Sequence, residues 1–366
     1  MKKIFHIVSN KEWGGGEQYV YDLSQRQKAD GIAIGVFTKP VEAVTEKFRE
    51  VTDMVTALPL KGMTDVTSAW RMARHIDHAG ACTIHAHNFK DAFTACYARR
   101  LTRNKEVRVV MCRHLTRTGK NSWPYRWLYG ELDALCFDSD LSRDTFLSTK
   151  PSIDRAKLSV VHTSIVVPGS VEAAPLRQEL SIGEDEVLAM YHGRLDPEKG
   201  LDVLIEAFAQ LREKPLRLVL IGRGSPDYTA HLNQLIAEHG LEGRVLLAGF
   251  RHPVLPYVAA ADFGVLASIV REGCPLSPQE YMSQGRAVVT TDNGGQREYV
   301  VDGVNGLLVP PGDAERLAQA MGRLADDASL RQRLGRQAAA DYRDHLNYEH
   351  FYSAISRLYD GTPCGN

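Results

Sequence analysis

The sequence predicts two α/β domains in tandem, each built on a doubly wound parallel sheet. Short apolar runs rich in β-branched residues alternate with helical patterns along the whole chain. At 366 residues the chain is too long for one ordinary core, because a domain usually has roughly 100 to 200 residues. The 44 Lys and Arg residues nearly balance the 45 Asp and Glu residues, so total charge gives no support to a nucleic-acid partner.

Each half of the chain has six runs that are predicted to form strands. They are residues 4–8, 32–37, 83–86, 107–112, 134–137 and 158–161, then 187–191, 216–221, 245–248, 263–267, 287–290 and 306–309. Between them, segments such as the one with Leu201, Leu204, Ile205 and Phe208 have the spacing of one helix face. Alternation of this kind is typical of parallel sheets that are covered by helices on both faces.

The domain boundary is predicted where turn-forming residues interrupt this alternation. Pro168, Gly169 and Ser170 indicate an exposed connection before the next strand. We therefore assign residues 1–167 to an N-terminal domain and 168–340 to a C-terminal domain. Residues 341–366 carry several aromatic side chains in a predicted helix with no strand behind it, so this helix needs another surface to cover.

Cysteine usage and hydropathy indicate a protein of the reducing cytoplasm. The six cysteines are widely scattered and include no Cys-x-x-Cys pair, so reduced thiols are expected. Residues 1–8 are predicted to be a first strand and not a signal peptide. No apolar run reaches the length of about 18 residues that crosses a bilayer, so we expect any membrane contact to be peripheral.

The segment from Arg271 to Glu280 points most directly to chemistry. Its carboxylates Glu272 and Glu280 lie eight residues apart, in a loop that follows a predicted strand and enters a helix. Ligands bind at the carboxyl ends of strands in open α/β sheets. Ser277 and Glu280 also fit a capping box, in which Glu280 would accept from a backbone N–H instead of binding vicinal hydroxyls. The spacing alone leaves both alternatives open.

Two cations lie five residues apart in the first loop of the second domain. Arg194 offers a planar fork of donors and Lys199 a compact charge, which together suit a diphosphate. A solvated loop, with Lys199 simply near Glu198, is an equal alternative at this point.

Two glycine-rich turns follow predicted strands. Gly14, Gly15 and Gly16 precede a helical pattern, where backbone N–H groups could approach a phosphate. Gly222 and Gly224 could similarly let a nucleotide approach the backbone. Neither motif has the spacing of a dinucleotide or Walker A loop, so plain tight turns remain an alternative for both.

His85 and His87 lie on the same face of a predicted strand, where a metal is conceivable. No acidic or cysteine cluster completes such a site in the sequence, so we expect no metal. His87, at the strand end, could donate to a substrate hydroxyl or phosphate. His85 is expected to be a packed core residue.

Residues 85–129 form a basic segment of net charge +8. Aromatic residues are grouped at its end, at Trp123, Tyr125, Trp127 and Tyr129. An anionic acceptor or anionic lipid headgroups would explain this mixture. A solvated basic face beside core aromatics, or a single-stranded nucleic acid, are the alternatives. The ten cations are Lys90, Arg99, Arg100, Arg103, Lys105, Arg108, Arg113, Arg117, Lys120 and Arg126, against Asp91 and Glu106.

In combination these residues resemble the retaining glycosyltransferases of the GT-B fold, of family 4 type (glycosyl transferases group 1). The family's Glu-x7-Glu motif matches Glu272 and Glu280, and its Gly-Arg and Lys-Gly element matches residues 193–194 and 199–200. Its late glycine-rich stretch matches residues 292–309. The resemblance covers most of the chain and implies two Rossmann-like domains facing a cleft, with the terminal helix crossing back to the first domain. The chain departs from the family pattern at residues 162–164 and at Cys274.

The resemblance also implies roles for individual residues. Arg194 and Lys199 would neutralise the diphosphate of a nucleotide sugar, and Glu280 would bind the ribose. Glu272 would bind the sugar hydroxyls. The implied catalytic set is Arg194, Lys199, Glu272 and His87. The implied donor-binding set is Gly15, Gly16, Gly222, Phe250, Arg251, Gly273, Cys274, Pro275, Leu276 and Glu280.

The activity implied is transfer of a hexose-type sugar to a saccharide or lipid-linked acceptor, in bacterial-type polysaccharide or glycolipid biosynthesis. The family retains anomeric configuration, with the leaving phosphate oxygen taking the acceptor proton, so no metal cofactor is expected. The expected location is cytoplasmic, with peripheral contact to an anionic membrane. The alternatives are a nucleotide-sugar epimerase of the same fold and a non-catalytic binder of nucleotides or glycans, because a fold alone does not fix function.

Overall fold

A computed structural model describes residues 3–361, which divide into two compact units. The first unit contains the described residues up to 162 and those from 351 onward, and the second contains residues 163–350. Predictions that concern Met1, Lys2 and Cys364 lie outside the described residues.

The first unit is a seven-stranded parallel sheet with helices on both faces. Its strands lie in the order β3-β2-β1-β4-β5-β6-β7. They are β1 (Lys3–Val8), β2 (Ala33–Thr38), β3 (Val55–Ala57), β4 (Cys82–Ala86), β5 (Val107–Arg113), β6 (Ala134–Phe137) and β7 (Leu158–Val160). The helices are α1 (Gly15–Ala29), α2 (Glu42–Arg49), α3 (Val66–Ile76), α4 (Phe89–Leu101), α5 (Trp123–Glu131) and α6 (Asp140–Leu147).

The second unit is a six-stranded parallel sheet in the order β10-β9-β8-β11-β12-β13. Its strands are β8 (Val187–His192), β9 (Leu216–Ile221), β10 (Val245–Gly249), β11 (Phe263–Leu266), β12 (Ala287–Thr291) and β13 (Leu307–Val309). The helices are α7 (Leu176–Glu179), α8 (Leu201–Ala209), α9 (Pro226–Glu238), α10 (Leu255–Ala260), α11 (Leu276–Ser283), α12 (Ala314–Asp326) and α13 (Ala328–Asp341), and α14 (Tyr348–Tyr359) follows.

The predicted α/β architecture with two parallel sheets is confirmed. All twelve predicted strands form, with ends within one residue of the expected positions. Strand β3 was not predicted, because it has three residues, lies at the sheet edge and is only partly buried. A strand this short contains no apolar run from which it could be predicted.

The last described helix covers a face of the first unit. From residue 351 onward α14 belongs to that unit, where the Tyr352 hydroxyl donates to Asp30 at 2.7 Å. The Tyr359 hydroxyl lies 2.9 Å from Nδ1 of His85, on β4. The aromatic residues of this segment therefore pack on and bond to the sheet and helix beneath them.

Each sheet has a switch point at which the chain changes its direction of winding. In the first unit this point lies between β1 and β4, and in the second between β8 and β11. Loops on either side of a switch point diverge at the carboxyl ends of the strands and leave room for a ligand. His87 follows β4, Lys199 follows β8 and Glu272 follows β11.

No described helix is long and apolar enough to span a membrane.

Strand β11 is held against α11 by a close approach that only glycine permits. A Cβ built at Gly264 would overlap the ring of Tyr281, which is fully buried. We expect Gly264→Ala to lower the free energy of unfolding of the second unit by about 1–3 kcal/mol, because overpacking displaces this ring. Gly169→Ala is the matched control, since a Cβ there has no neighbour within 4 Å. Equal stability of the two variants in chemical denaturation would contradict this packing.

Candidate active site

Lys199 and Glu272 form an ion pair at the switch point of the second unit. Lys199 Nζ lies 2.6 Å from a carboxylate oxygen of Glu272, and the side chains are only 19% and 16% exposed. The other carboxylate oxygen of Glu272 accepts from the Ser268 hydroxyl. Two segments 73 residues apart, which the sequence singled out separately, thus meet at one point.

The loops after β8 and β11 are fixed to each other through the backbone. Gly200 has φ +66°, in the left-handed region that favours glycine, and a Cβ there would overlap the carbonyl of Ala267. The N–H of Ile269 donates to the carbonyl of Glu198 at 3.1 Å. This docking places Lys199 opposite Glu272.

Arg194 lies in the same loop but is open to solvent. Its guanidinium pairs with Asp196 at 3.0 Å and approaches Glu198 at 3.9 Å, with 64% of the side chain exposed. The Tyr191 hydroxyl donates to its backbone carbonyl at 2.7 Å and fixes the loop. In contrast to Lys199, Arg194 can change partner at little cost, because exposed ion pairs are weak.

Glu280 bonds to a histidine and does not cap its helix. Its carboxylate contacts Nε2 of His192, at the end of β8, and His192 Nδ1 lies 2.8 Å from the Tyr281 hydroxyl. Helix α11 begins at Leu276, so Ser277 lies inside it and its side chain makes no capping bond. The capping box that the sequence allowed is therefore absent, and the Glu280 carboxylate is directed to the end of β8.

The segment from Gly273 to Leu276 is held through its backbone. The Tyr299 hydroxyl donates to the Pro275 carbonyl at 2.6 Å, and the N–H of Gly295 donates to the Glu272 carbonyl at 2.9 Å. Glycine fits at position 294 because a Cβ there would overlap the Gln296 side chain and crowd the Glu272 carbonyl. The late glycine-rich stretch thus supports the loop that carries Glu272.

The two departures from the family pattern contact each other. Cys274 Sγ lies 3.6 Å from the Thr163 carbonyl, and the Gln279 amide donates to the same carbonyl at 2.8 Å. Cys274, which departs from the family pattern in the loop after β11, therefore packs on Thr163, which departs from it after β7.

Three members of the implied donor-binding set, Gly222, Phe250 and Arg251, follow the ends of β9 and β10. Gly222 packs so closely on the Gly193 carbonyl that no Cβ fits. Phe250 is 55% exposed, with the Arg223 guanidinium 4.6 Å above its ring. Arg251 lies 3.6 Å from Glu179. An exposed ring beside a cation offers a stacking surface to a planar base.

Gly15 and Gly16 open helix α1 in the first unit and are exposed. The preceding N–H, of Gly14, already donates to the Glu17 carboxylate at 3.0 Å, and Asn10 also donates to that carboxylate. Part of the helix N-terminus is thus already satisfied from within the chain.

His87 lies at the end of a chain of hydrogen bonds that continues into buried residues. Its Nε2 lies 3.2 Å from His6 Nδ1, and His6 Nε2 lies 2.9 Å from Gln27 Oε1. The Gln27 amide donates to the Tyr359 hydroxyl at 3.1 Å. That hydroxyl lies 2.9 Å from His85 Nδ1. Gln27 Oε1 only accepts, so His6 carries its proton on Nε2, and the His87 Nε2–H then donates to His6 Nδ1.

The same histidines are the described residues that could hold a metal. One ring nitrogen from each of His6, His85 and His87 lies within 4.8 Å of the others. Three imidazoles suit zinc, copper or nickel. The ring nitrogens of His6 are already engaged by Gln27 and His87, so a metal would have to displace at least one of these hydrogen bonds.

Burial keeps these imidazoles neutral. It lowers the pKa of His6 and of His114 to about 4. The pKa values of His85 and His87 are also far below the usual range, because of burial and then the neighbouring imidazoles. A charged imidazole would lose its hydration without gaining an anionic partner.

Several residues that organise the site were not predicted from the sequence. His192 and Tyr281 orient Glu280, Ser268 bonds to Glu272, and Asn293 donates to the Ile269 carbonyl at 3.0 Å. Only their position in the sequence could have indicated a role, because His192 is the last residue of β8 and Ser268 follows β11 closely. The partners of His192, Tyr281 and Asn293 are distant in sequence, whereas Ser268 lies four residues before Glu272.

The lowered pKa values of His6 and His114 predict acid sensitivity of the first unit. In the unfolded chain these histidines bind a proton below about pH 6.5, whereas in the folded unit His6 and His114 bind one only below about pH 4. The free energy of unfolding therefore falls as the pH falls from 6.5 to 4. His114→Gln removes one such group. We expect the decline in unfolding free energy to become shallower, by about 1.4 kcal/mol per pH unit within the window. Exposed His78→Gln is the control and should leave the slope unchanged. A slope that His114→Gln does not alter would contradict the account.

Comparison with known proteins gives matches in both halves of the chain. The family model described as Glycosyltransferase Family 4 matches residues 13–167, and the one described as Glycosyl transferases group 1 matches residues 173–341. The D-inositol 3-phosphate glycosyltransferase of Nocardioides sp. is 27% identical over 385 residues, which covers 92% of this chain and 83% of that protein.

The lipopolysaccharide core biosynthesis glycosyltransferase LpsE of Rhizobium meliloti is 36% identical over 187 residues, or 51% of this chain and 54% of that protein. The chain spans about half the length of several curated relatives that it matches.

Solved structures resemble the whole chain. Alr3699/HepE of Anabaena, determined in complex with UDP, has a TM-score of 0.83 at 20% identity, covering 98% of this chain and 99% of that one. A glycosyltransferase from Rickettsia africae has a TM-score of 0.84 at 16% identity, covering 98% and 97%. At such identities the likeness shows the fold. The two family models together span most of the chain, which belongs to the group 1, family 4 type glycosyltransferases and has the GT-B fold.

Proposed function

We propose that the protein transfers a hexose-type sugar from a nucleotide diphosphate sugar to a saccharide or lipid-linked acceptor, with retention of anomeric configuration. The observation that supports this most strongly is the Lys199–Glu272 pair at the switch point of the second unit, with Arg194 in the same loop. It combines a cation for phosphate with a carboxylate for hydroxyl groups at the edge where α/β sheets bind ligands.

The ion pair provides both partners that a sugar diphosphate needs. Without donor, Lys199 and Glu272 neutralise each other. A diphosphate would offer Lys199 a stronger anionic partner, and Glu272 would then accept from sugar hydroxyls. Arg194 would move from Asp196 to the same diphosphate and add its planar fork of donors.

These cations would also act in the chemical step. Departure of the nucleotide diphosphate increases negative charge on the leaving oxygens, and two positioned cations stabilise that charge. In this scheme the leaving phosphate oxygen takes the acceptor proton, so neither a side-chain base nor a metal is required. Metal independence is accordingly part of the proposal.

Glu280 and Phe250 would bind the nucleoside. Glu280 is oriented by His192 and has a second oxygen with which to accept from vicinal ribose hydroxyls. The exposed Phe250 ring would stack on the base, with the backbone near Gly222 alongside. The roles of His87, Gly15 and Gly16 toward the donor stay predictions from the family resemblance.

The named relatives suggest the kind of product. They include LpsE, which acts in lipopolysaccharide core biosynthesis, and an amylovoran biosynthesis glycosyltransferase of Erwinia amylovora. UDP and UDP-glucose are bound in the Anabaena HepE structures, so UDP-sugars are the first donors to test. We infer a role in assembly of a bacterial polysaccharide or lipopolysaccharide. A cytoplasmic location and peripheral membrane contact stay predictions.

The proposal predicts donor binding and transfer that depend on Arg194 and Lys199. UDP, GDP, ADP and their sugars are added to the protein in excess EDTA, and the unfolding temperature is measured. We expect one nucleotide diphosphate to raise it, and its sugar to support transfer of radiolabel to a saccharide acceptor. Arg194→Ala combined with Lys199→Ala should abolish the thermal shift and slow transfer by about 100-fold or more.

Lys214→Ala is the matched control. Lys214 also forms an ion pair with a carboxylate at 2.6 Å, that of Asp326, but outside the site. Its replacement should leave donor binding intact. Stabilisation by none of the nucleotides, or full donor turnover in the Arg194 and Lys199 double variant, would overturn the proposal. Loss of transfer in EDTA would overturn metal independence.

A further inference from the structure

A cavity of about 500 Å³ lies in the first unit, at the carboxyl ends of β1, β4 and β5. Its lining includes six cationic side chains and no Asp or Glu. His87 lines it as well. The cations come from four separate segments of the chain, which the sheet brings together. They are Lys39, Lys61, Lys90, Arg113, Arg117 and Lys120.

Arg113 is the buried member of this group. It is 6% exposed and lies between the rings of Phe89 and Phe146, with its guanidinium carbon 5.2 Å from each ring centre. Its Nη2 donates to the Arg117 carbonyl, whereas its buried Nη1 has no hydrogen-bond partner among residues 3–361. Burial lowers the pKa of this guanidinium. An unused buried donor is costly unless a ligand accepts from it.

The charge of the cavity lining is left largely unpaired in the part of the chain that the structure describes. None of the six cations forms an ion pair within the described residues, whereas Arg99 and Arg100 of the same basic segment pair with Glu131. The charge of Asp138 also interacts with the Arg113 guanidinium and partly offsets the effect of burial on its pKa. The basic segment therefore divides into a structural part on α4 and a part left open at the cavity.

The buried carboxylate of Asp91, one residue after Lys90, is already engaged. It accepts from the Ser9 hydroxyl at 2.8 Å and from the Asn88 amide. Burial raises its pKa to about 7, so it carries only part of a negative charge at neutral pH. It leaves most of the cationic charge at the cavity uncompensated.

We propose that this cavity binds a phosphate or diphosphate group of the acceptor. Up to six positive charges match a multiply charged oxyanion better than a single carboxylate, and the free edge of Arg113 suits phosphate oxygens. The volume exceeds that of a phosphate and leaves room for the adjoining part of the acceptor. This inference rests on the proposed transferase function and assigns its acceptor a chemical class. It concerns the first unit, whereas the donor diphosphate is assigned to Arg194 and Lys199 of the second.

Titration calorimetry with inorganic phosphate and inorganic pyrophosphate tests the proposal. The full-length Arg194→Ala and Lys199→Ala variant serves as background, so that the donor site does not contribute. We expect pyrophosphate to bind more tightly than phosphate. Lys61→Ala combined with Lys90→Ala should weaken pyrophosphate binding at least tenfold, and both lysines are exposed, so folding should be preserved. Arg113→Lys retains the charge but loses the fork of donors, and it should also weaken binding about tenfold.

Lys28→Ala combined with Lys105→Ala is the control, because it removes the same charge from exposed positions outside the cavity. It should leave the affinity within about twofold. Absence of pyrophosphate binding, or equal weakening by the control and cavity variants, would overturn the proposal.

A second comparison distinguishes the source of the phosphate. A soluble hexose 1-phosphate and a prenyl monophosphate in neutral detergent micelles, which carry the same phosphate monoester group, are titrated into the same variants. Tighter binding of the prenyl monophosphate assigns a lipid-linked acceptor, and tighter binding of the hexose phosphate assigns a soluble one. If the cavity variants bind either ligand as tightly as the background protein does, the inference is contradicted. Nucleotide binding by the native chain is measured in parallel, so failure of the transferase proposal is seen separately.

Discussion

The site in the second unit depends on strands β8 and β11 lying side by side in a parallel sheet. Their pairing joins Ala189 to Phe263 and Met190 to Gly264, and it directs both following loops to the same edge. Gly200 then packs on the Ala267 carbonyl, where no side chain would fit. The Lys199–Glu272 pair is a consequence of this backbone contact, and the proposed donor site depends on it.

The two units treat their cations in opposite ways. In the second unit Lys199 and Arg194 already have carboxylate partners, which a ligand would exchange. In the first unit the cavity cations have none among the described residues, and Arg113 retains a buried donor with no acceptor. Exchange of partners suits a donor that must leave after each reaction. An uncompensated cavity suits an acceptor whose own charge completes the site.

Local pattern predicted the fold and the loops of the candidate site, but not the contacts between them. Strand runs such as 216–221 and the cation spacing of Arg194 and Lys199 are properties of neighbouring residues, so they are visible in the sequence. The pairing of Glu280 with His192 joins residues 88 positions apart, and only the fold excludes the capping box. Similarly, net charge did not show that Arg99 is neutralised while Lys90 lines a cavity.

The separate roles of Lys199 and Glu272 are tested most directly by measuring the affinities for a nucleotide diphosphate and for its sugar in single variants. Lys199→Ala should weaken both ligands by a similar factor, about tenfold or more, because both contain the diphosphate. Glu272→Gln should weaken the nucleotide sugar about tenfold relative to the nucleotide diphosphate, because a neutral amide accepts from sugar hydroxyls more weakly than a carboxylate and no longer neutralises Lys199. Equal weakening of both ligands by Glu272→Gln would contradict the account.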